Sequence, residues 1–217
     1  MYLTSSILCD QQQIPVEYTF GISNPQQHVT LGPNRNPPFK WSALPTSTSS
    51  LVLICDDPDV PICKDDVNKE DRQIPSNVPR SNFYHWILVD LAPELQQIMA
   101  GEFSDGITPN GKLGPNSIHG TRQGINNYRE WFANDSMMRG KYFGYDGPCP
   151  PWNDTIPHRY IFTLYALDVE RCPVEGDFTG PDVLAEIAGH VIDQAKLTVT
   201  YSLNPIVSAN LIKRCSK

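Results

Sequence analysis

No stretch of the sequence is apolar over the roughly 20 residues that a membrane-spanning helix needs. The opening residues, MYLTSSILCDQQQ, lack both the basic start and the continuous apolar run of a secretory leader. The expected compartment is therefore the cytoplasm, or the periplasm if a leader has been removed. Basic residues are also scarce. Seventeen Lys and Arg face 24 Asp and Glu, a formal charge of −7, which argues against nucleic acid as a partner and against attraction to anionic membrane surfaces. Charged residues make up only 19% of the chain, too few for a coiled coil or a solvating tail. The six cysteines, at 9, 55, 63, 149, 172 and 215, contain no CxxC pair. Their even number leaves disulfides open, but a chain of 217 residues can build a core without them, and mostly reduced thiols are expected. There is no HExxH, no GxSxG and no GxxxxGK[ST], and DDPDVP is too short for a calcium loop. Resident metal, a serine-hydrolase elbow and a nucleotide phosphate loop all lack their sequence signatures.

What is present is a 40% apolar fraction together with 20 Pro and 14 Gly, the composition of a loop-rich globular fold rather than a helix bundle. No repeat or composition break divides the chain, so one domain over 1–217 is expected. Three segments read as strong strands: Leu51 to Cys55, Phe83 to Leu91 and Tyr160 to Leu167. Ile14 to Phe20 reads as a weaker strand. Pro58 and Pro61 predict that the strand through Leu51 stops at Cys55. The spacing of Val183, Leu184, Ile187, Val191, Ile192 and Ala195 predicts a helix over 180–196 with Asp182 in its cap or first turn, followed by a strand over 197–203 and a short tail. A short helix within Tyr128 to Met138 is also expected.

Each strong strand carries polar or proline-rich material at or near one end, the usual way in which a sheet supports a ligand site on its loops. The candidate groups are Asp57, Asp59, His85, His158, Arg159 and Tyr160. Two readings stand open. Either these groups converge, or Asp57 and Asp59 cap local backbone donors while the two histidines satisfy core hydrogen bonds. Cys149, between Pro148 and Pro150, is the one cysteine placed to be considered as a nucleophile, with His158 nearby as a base. An inert small side chain in a rigid turn is the competing view.

The segments DDPDVP (56–61), YHWILVDL (84–91) and GPCPPWNDTIPHRYIFTLYALD (147–168) resemble the phosphatidylethanolamine-binding protein family, in its bacterial YbhB/YbcL-like branch. GTRQGINNY (120–128) and GHVIDQAKLTVTYS (189–202) are similar to that branch's glycine–asparagine loop and closing segment. The resemblance implies a mainly β fold, with a large central antiparallel sheet, a smaller flanking sheet and a few peripheral helices. It also implies a pocket for phosphate-like anions or phospholipid head groups, with no cofactor and no metal. Carried over position by position, the ligand-binding residues are Asp57, Asp59, Pro61, His85, Cys149, Pro151, His158 and Tyr160; Arg159 pairs outside the pocket. A cis bond between Val60 and Pro61 is expected. A hydrolase acting through Cys149 or His158, and a regulatory module with a protein partner or a homodimer, are the alternatives. The stretches 62–82 and 129–143 are longer than the family resemblance leads one to expect; changing the pocket's ligand, covering it and forming a partner surface all stand open for them.

Overall fold

Alternation of inward and outward side chains, and apolar density on both faces, organise the chain into strands. The computed structural model describes residues 1–215, with side chains through Leu211. In chain order the strands are β1 (Tyr2–Thr4), β2 (Gly21–Asn24), β3 (His28–Leu31), β4 (Phe39–Ser42), β5 (Ser50–Pro61), β6 (Arg80–Leu91), β7 (Gln97–Ile98), β8 (Gly111–Lys112), β9 (Arg122–Gln123), β10 (Lys141–Tyr142), β11 (His158–Leu167) and β12 (Val191–Tyr201). The helices are α1 (Tyr128–Trp131), α2 (Gly180–Ile187) and α3 (Pro205–Cys215). A five-stranded antiparallel sheet, in the order β12-β11-β5-β6-β9, forms the centre, and a three-stranded sheet, β1-β4-β7, flanks it. The fold is thus mainly β with few helices.

The central strands bury both faces, and their side-chain period of two sorts the core into layers. Leu51, Leu53 and Cys55 pack with Phe39, Trp41, Trp86, Phe162 and Leu164 on the side of the flanking sheet. Val52 and Ile54 pack with Ile87, Val89, Phe178, Val183 and Ile187 on the side of α2. Complete burial of such a side chain stabilises the fold by about 1.5–3 kcal/mol, which makes β5, apolar on both faces from Leu51 to Ile54, the spine of the molecule.

Several sequence expectations are corrected. Strand β5 does not stop at Cys55 but runs through DDPDVP to Pro61. Prolines are tolerated because pairing with β11 ends at Asp56, and pairing with β6 skips from Asp57–Phe83 to Val60–Ser81, which leaves Pro58 inside a register irregularity where no ladder donor is required. The Val60–Pro61 bond is trans; the cis X-Pro bond of the described chain is Gly114–Pro115. Both Val60 and Pro61 are paired with β6 as ordinary extended residues. Ile14 to Phe20 is not a strand: Val16–Tyr18 form a 3-10 turn, while Ile14 reaches the edge of β12 through its N–H to the Thr200 carbonyl, 3.0 Å.

Helix α2 ends at Ile187, and Val191, Ile192 and Ala195 belong to β12. The helical spacing of those three is coincidental; pairing with β11 decides their conformation. Thr179 is the N-cap, and Asp182 accepts from its N–H at 2.8 Å and its hydroxyl at 2.6 Å. The segment after β12 forms helix α3 rather than a tail.

Candidate functional site

Strand β5 contributes Asp57 and Pro61, β6 contributes His85, and β11 contributes His158 and Tyr160. These five meet Cys149, Pro150 and Pro151 around one pocket of about 430 Å³, part of it open to solvent. The other walls are Val60, Val67, Phe83, Tyr128 and Trp131. Val67 lies in the stretch 62–82 and Trp131 in the stretch 129–143, so both of these long segments reach the pocket. Lys64 links them, its ammonium lying 5.0 Å from the centroid of the Trp131 ring.

The turn that carries Cys149 is seated by close backbone contacts. A Cβ on Gly147 would stand 2.2 Å from the Tyr18 carbonyl oxygen, and one on Gly21 would stand 2.4 Å from the Cys149 sulfur. Phe20 and Gly21 both donate their N–H to the Pro148 carbonyl, at 2.9 and 3.1 Å. Burial pushes the Cys149 thiol up to about 12, and neither histidine hydrogen-bonds to it among the described residues.

His158 is fully buried, and both of its ring nitrogens face carboxylates: Nδ1 lies 2.7 Å from Asp57 and Nε2 lies 3.0 Å from Asp154. A carboxylate only accepts, so two such contacts define an imidazolium. Burial opposes that charge, but the Asp57 charge and the hydrogen bonds to Asp154 and Asp57 outweigh it, raising His158 to about 9. Asp154 in turn accepts from Arg80 at 2.8 and 3.0 Å and is held below the ordinary carboxylate range: burial raises it, and the hydrogen bonds from His158 and Arg80 overcome that. Asp57 uses its second oxygen to accept the Asp59 N–H at 2.8 Å.

His85 is the opposite case. Its Nδ1 lies 2.7 Å from the Asp146 carbonyl. That oxygen cannot donate, so in the neutral ring the proton is on Nδ1 and Nε2 keeps its lone pair. Burial pushes the ring's proton affinity below the ordinary histidine value, against the pull of Asp57 and Asp146. Phe83 and Tyr128 flank the ring at centroid distances of 4.9 and 5.7 Å, and Tyr160 meets it edge-on at 5.1 Å. The Tyr160 hydroxyl is buried and has no partner among the described residues.

Of the residues expected at the site, Asp57, Pro61, His85, Cys149, Pro151, His158 and Tyr160 converge. Asp59 does not. Its carboxylate accepts from Arg159 through Nε at 2.8 Å, a terminal nitrogen at 2.7 Å and the backbone N–H at 2.9 Å, and it lies outside the pocket wall. Hydrogen bonding lowers its carboxyl below the usual range despite burial. Arg159 pairs outside the pocket, as expected. The supporting shell lies outside the residues that the motifs single out. The Asp146 carboxylate accepts from Asn34 and Asn126, each at 2.8 Å, and pairs with Lys112 at 2.8 Å, which anchors the residue whose backbone carbonyl orients His85. Asn153 pins the stretch 62–82, donating to the carbonyls of Asp66 at 2.8 Å and Arg72 at 3.0 Å. A sequence signal existed only for Asp154, four residues before His158.

Together, these features define a class: a central antiparallel sheet whose strand ends carry an acid–histidine pair and a proline-lined, aromatic pocket. The phosphatidylethanolamine-binding protein family model matches residues 4–202, and the chain belongs to that family. A UPF0098 protein of Methanothermobacter thermautotrophicus is 32% identical over 82% of this chain and 89% of its own length. Escherichia coli YbhB, of the same group, is 29% identical over 93% of this chain and 100% of its own. The crystal structure of Escherichia coli YbcL, described as a member of the mammalian family, superposes with a TM-score of 0.65 at 23% identity, covering 93% of this chain and 97% of that one. This likeness shows the shared fold.

Proposed function

We propose that the protein binds a phosphate-like anion or a phospholipid head group in this pocket. The observation that carries the reading is the buried Tyr160 hydroxyl, without a partner among the described residues, on the wall of an aromatic- and proline-lined pocket that it shares with His85, whose Nδ1 is engaged by the Asp146 carbonyl. An orphaned buried hydroxyl costs about 1–3 kcal/mol, and a ligand oxygen would satisfy it. His158 supports the site rather than touching the ligand, since both its nitrogens already donate to carboxylates. Hydrolysis through Cys149 or His158 finds no such support: the thiol is held protonated and the imidazolium has no lone pair to act as a base.

The test is titration with phosphate and with phosphoethanolamine, followed by histidine ring NMR. His85 resonances are expected to move on ligand addition while those of His158 keep their imidazolium signature. Absence of any His85 perturbation between pH 5.5 and 8 refutes the reading.

A further inference from the structure

Resting on the anion-pocket reading, we infer that the protein takes a phospholipid by both of its ends: the head group enters the pocket, and one acyl chain lies in an apolar groove that the long stretch 62–82 builds beside it.

The groove is a second hollow, of about 520 Å³ and partly open to solvent, whose apolar lining is Pro61, Ile62, Ile74, Pro75, Val78 and Pro79. It adjoins the pocket. Pro61 lines both, and along two chain segments neighbouring residues divide between them: Val60 lines the pocket and Ile62 the groove, Val67 the pocket and Asp66 the groove. A chain that leaves the pocket past Pro61 enters the groove.

The lining offers carbon and little else. Pro61, Pro75 and Pro79 have no N–H. Ile62 donates its N–H to the Pro79 carbonyl at 3.1 Å, and Ile74 donates to the Asn153 carbonyl at 3.0 Å. The Ile74 carbonyl accepts from the Thr155 N–H at 3.1 Å and hydroxyl at 2.8 Å, and the Pro75 carbonyl accepts from Arg80 at 3.2 Å. The one charged group, Asp66, is paired with Arg72 at 2.6 Å. Such a surface has no free donor or charge for a sugar or a second anion, whereas methylene groups lose nothing by contact with it. Ile62 is 59% exposed, apolar area that an acyl chain would cover. The groove is also held in shape before any ligand arrives: Ile74 is buried, and Asn153 ties the carbonyls of Asp66 and Arg72, so binding does not have to order a loop. A polar pocket set beside an apolar groove is the two-part complement of an amphiphile.

The experiment is calorimetry with glycerophosphoethanolamine, which has no acyl chain, and with monoacyl glycerophosphoethanolamines of six, eight and ten acyl carbons below their micelle concentrations. A fully buried methylene is worth about fourfold in affinity and one lying in an open groove about twofold, so wild-type affinity should rise at least about tenfold from six to ten carbons. In Ile62→Asp, a change at an exposed position, and in Val78→Asp, that rise should shrink to within about threefold, while glycerophosphoethanolamine binds within about twofold of its wild-type affinity. A wild-type affinity independent of chain length, or a rise that survives both substitutions, overturns the groove and leaves the pocket standing. So does a flat chain-length series together with wild-type self-association, seen by sedimentation, that Ile62→Asp abolishes; the groove then seats a second copy of the chain. Monoacyl binding that excess phosphoethanolamine does not displace overturns the coupling of groove to pocket. Absence of binding by every probe, inorganic phosphate included, overturns both readings.

Discussion

The buried cation between Asp57 and Asp154 offers the sharpest test of how this site is built. His158 has a folded-state value of about 9 against an ordinary 6.5, a difference of about 2.5 units or about 3 kcal/mol. Because the folded value lies above the unfolded one, this stabilisation is fully present below pH 6.5 and is lost as pH rises through 9. Wild-type unfolding free energy from urea melts should therefore fall by about 3 kcal/mol between pH 6 and pH 10, apart from other titrations. Replacing His158 by Gln leaves two buried carboxylates without their shared cation, a loss of about 3–5 kcal/mol. At about 2–4 °C per kcal/mol for a chain of this size, the melting temperature should drop by about 6–20 °C at pH 6.5. Where that variant does not fold, Asp154→Asn serves instead: it removes one carboxylate, keeps Asp57 at 2.7 Å, and should lower the His158 titration while leaving it above 6.5. A wild-type His158 that titrates at or below 6.5 by NMR, or a stability that is flat from pH 6 to 10, refutes the reasoning.

Two further outcomes follow from groups around the pocket. Tyr160→Phe removes a buried hydroxyl that has no partner, so stability should hold or rise by up to about 1 kcal/mol while affinity for phosphate falls; a clear loss of stability in chemical denaturation would show that the hydroxyl is satisfied within the fold. Cys149, with its thiol raised to about 12, should be about one part in 10⁴ thiolate at pH 8. Iodoacetamide at that pH should label the exposed Cys9 and Cys63 first, and mass-spectrometric labelling of Cys149 at a matching rate would contradict its assignment as an inert wall residue.

Sequence by itself determined the three strong strands, because Leu51 to Ile54, the run through Trp86 to Leu88 and Phe162 to Leu164 are apolar on both faces and can be stable only inside a sheet covered on both sides. It also pointed to most of the pocket residues, through the resemblance of DDPDVP, YHWILVDL and GPCPPWNDTIPHRY to the family's motifs, while strand-end composition by itself left open whether they meet. Only the tertiary structure decided the rest. Pro58 looked like a strand end because proline lacks a ladder donor; the chain continues because the neighbouring strand has already left that edge. Val191 to Ala195 matched a helical period as well as a strand, and pairing with β11 settled the choice through hydrogen bonds that no local pattern encodes. Asp59 and Asp57, two residues apart in one motif, part company because Arg159 reaches the first and His158 the second. Most of all, which histidine is the buried cation and which is held neutral rests on Asp154 and on the backbone carbonyl of Asp146, a residue anchored through its carboxylate by Asn34, Lys112 and Asn126. A histidine's charge and tautomer are set by the groups that surround it in space, so neither was legible along the chain.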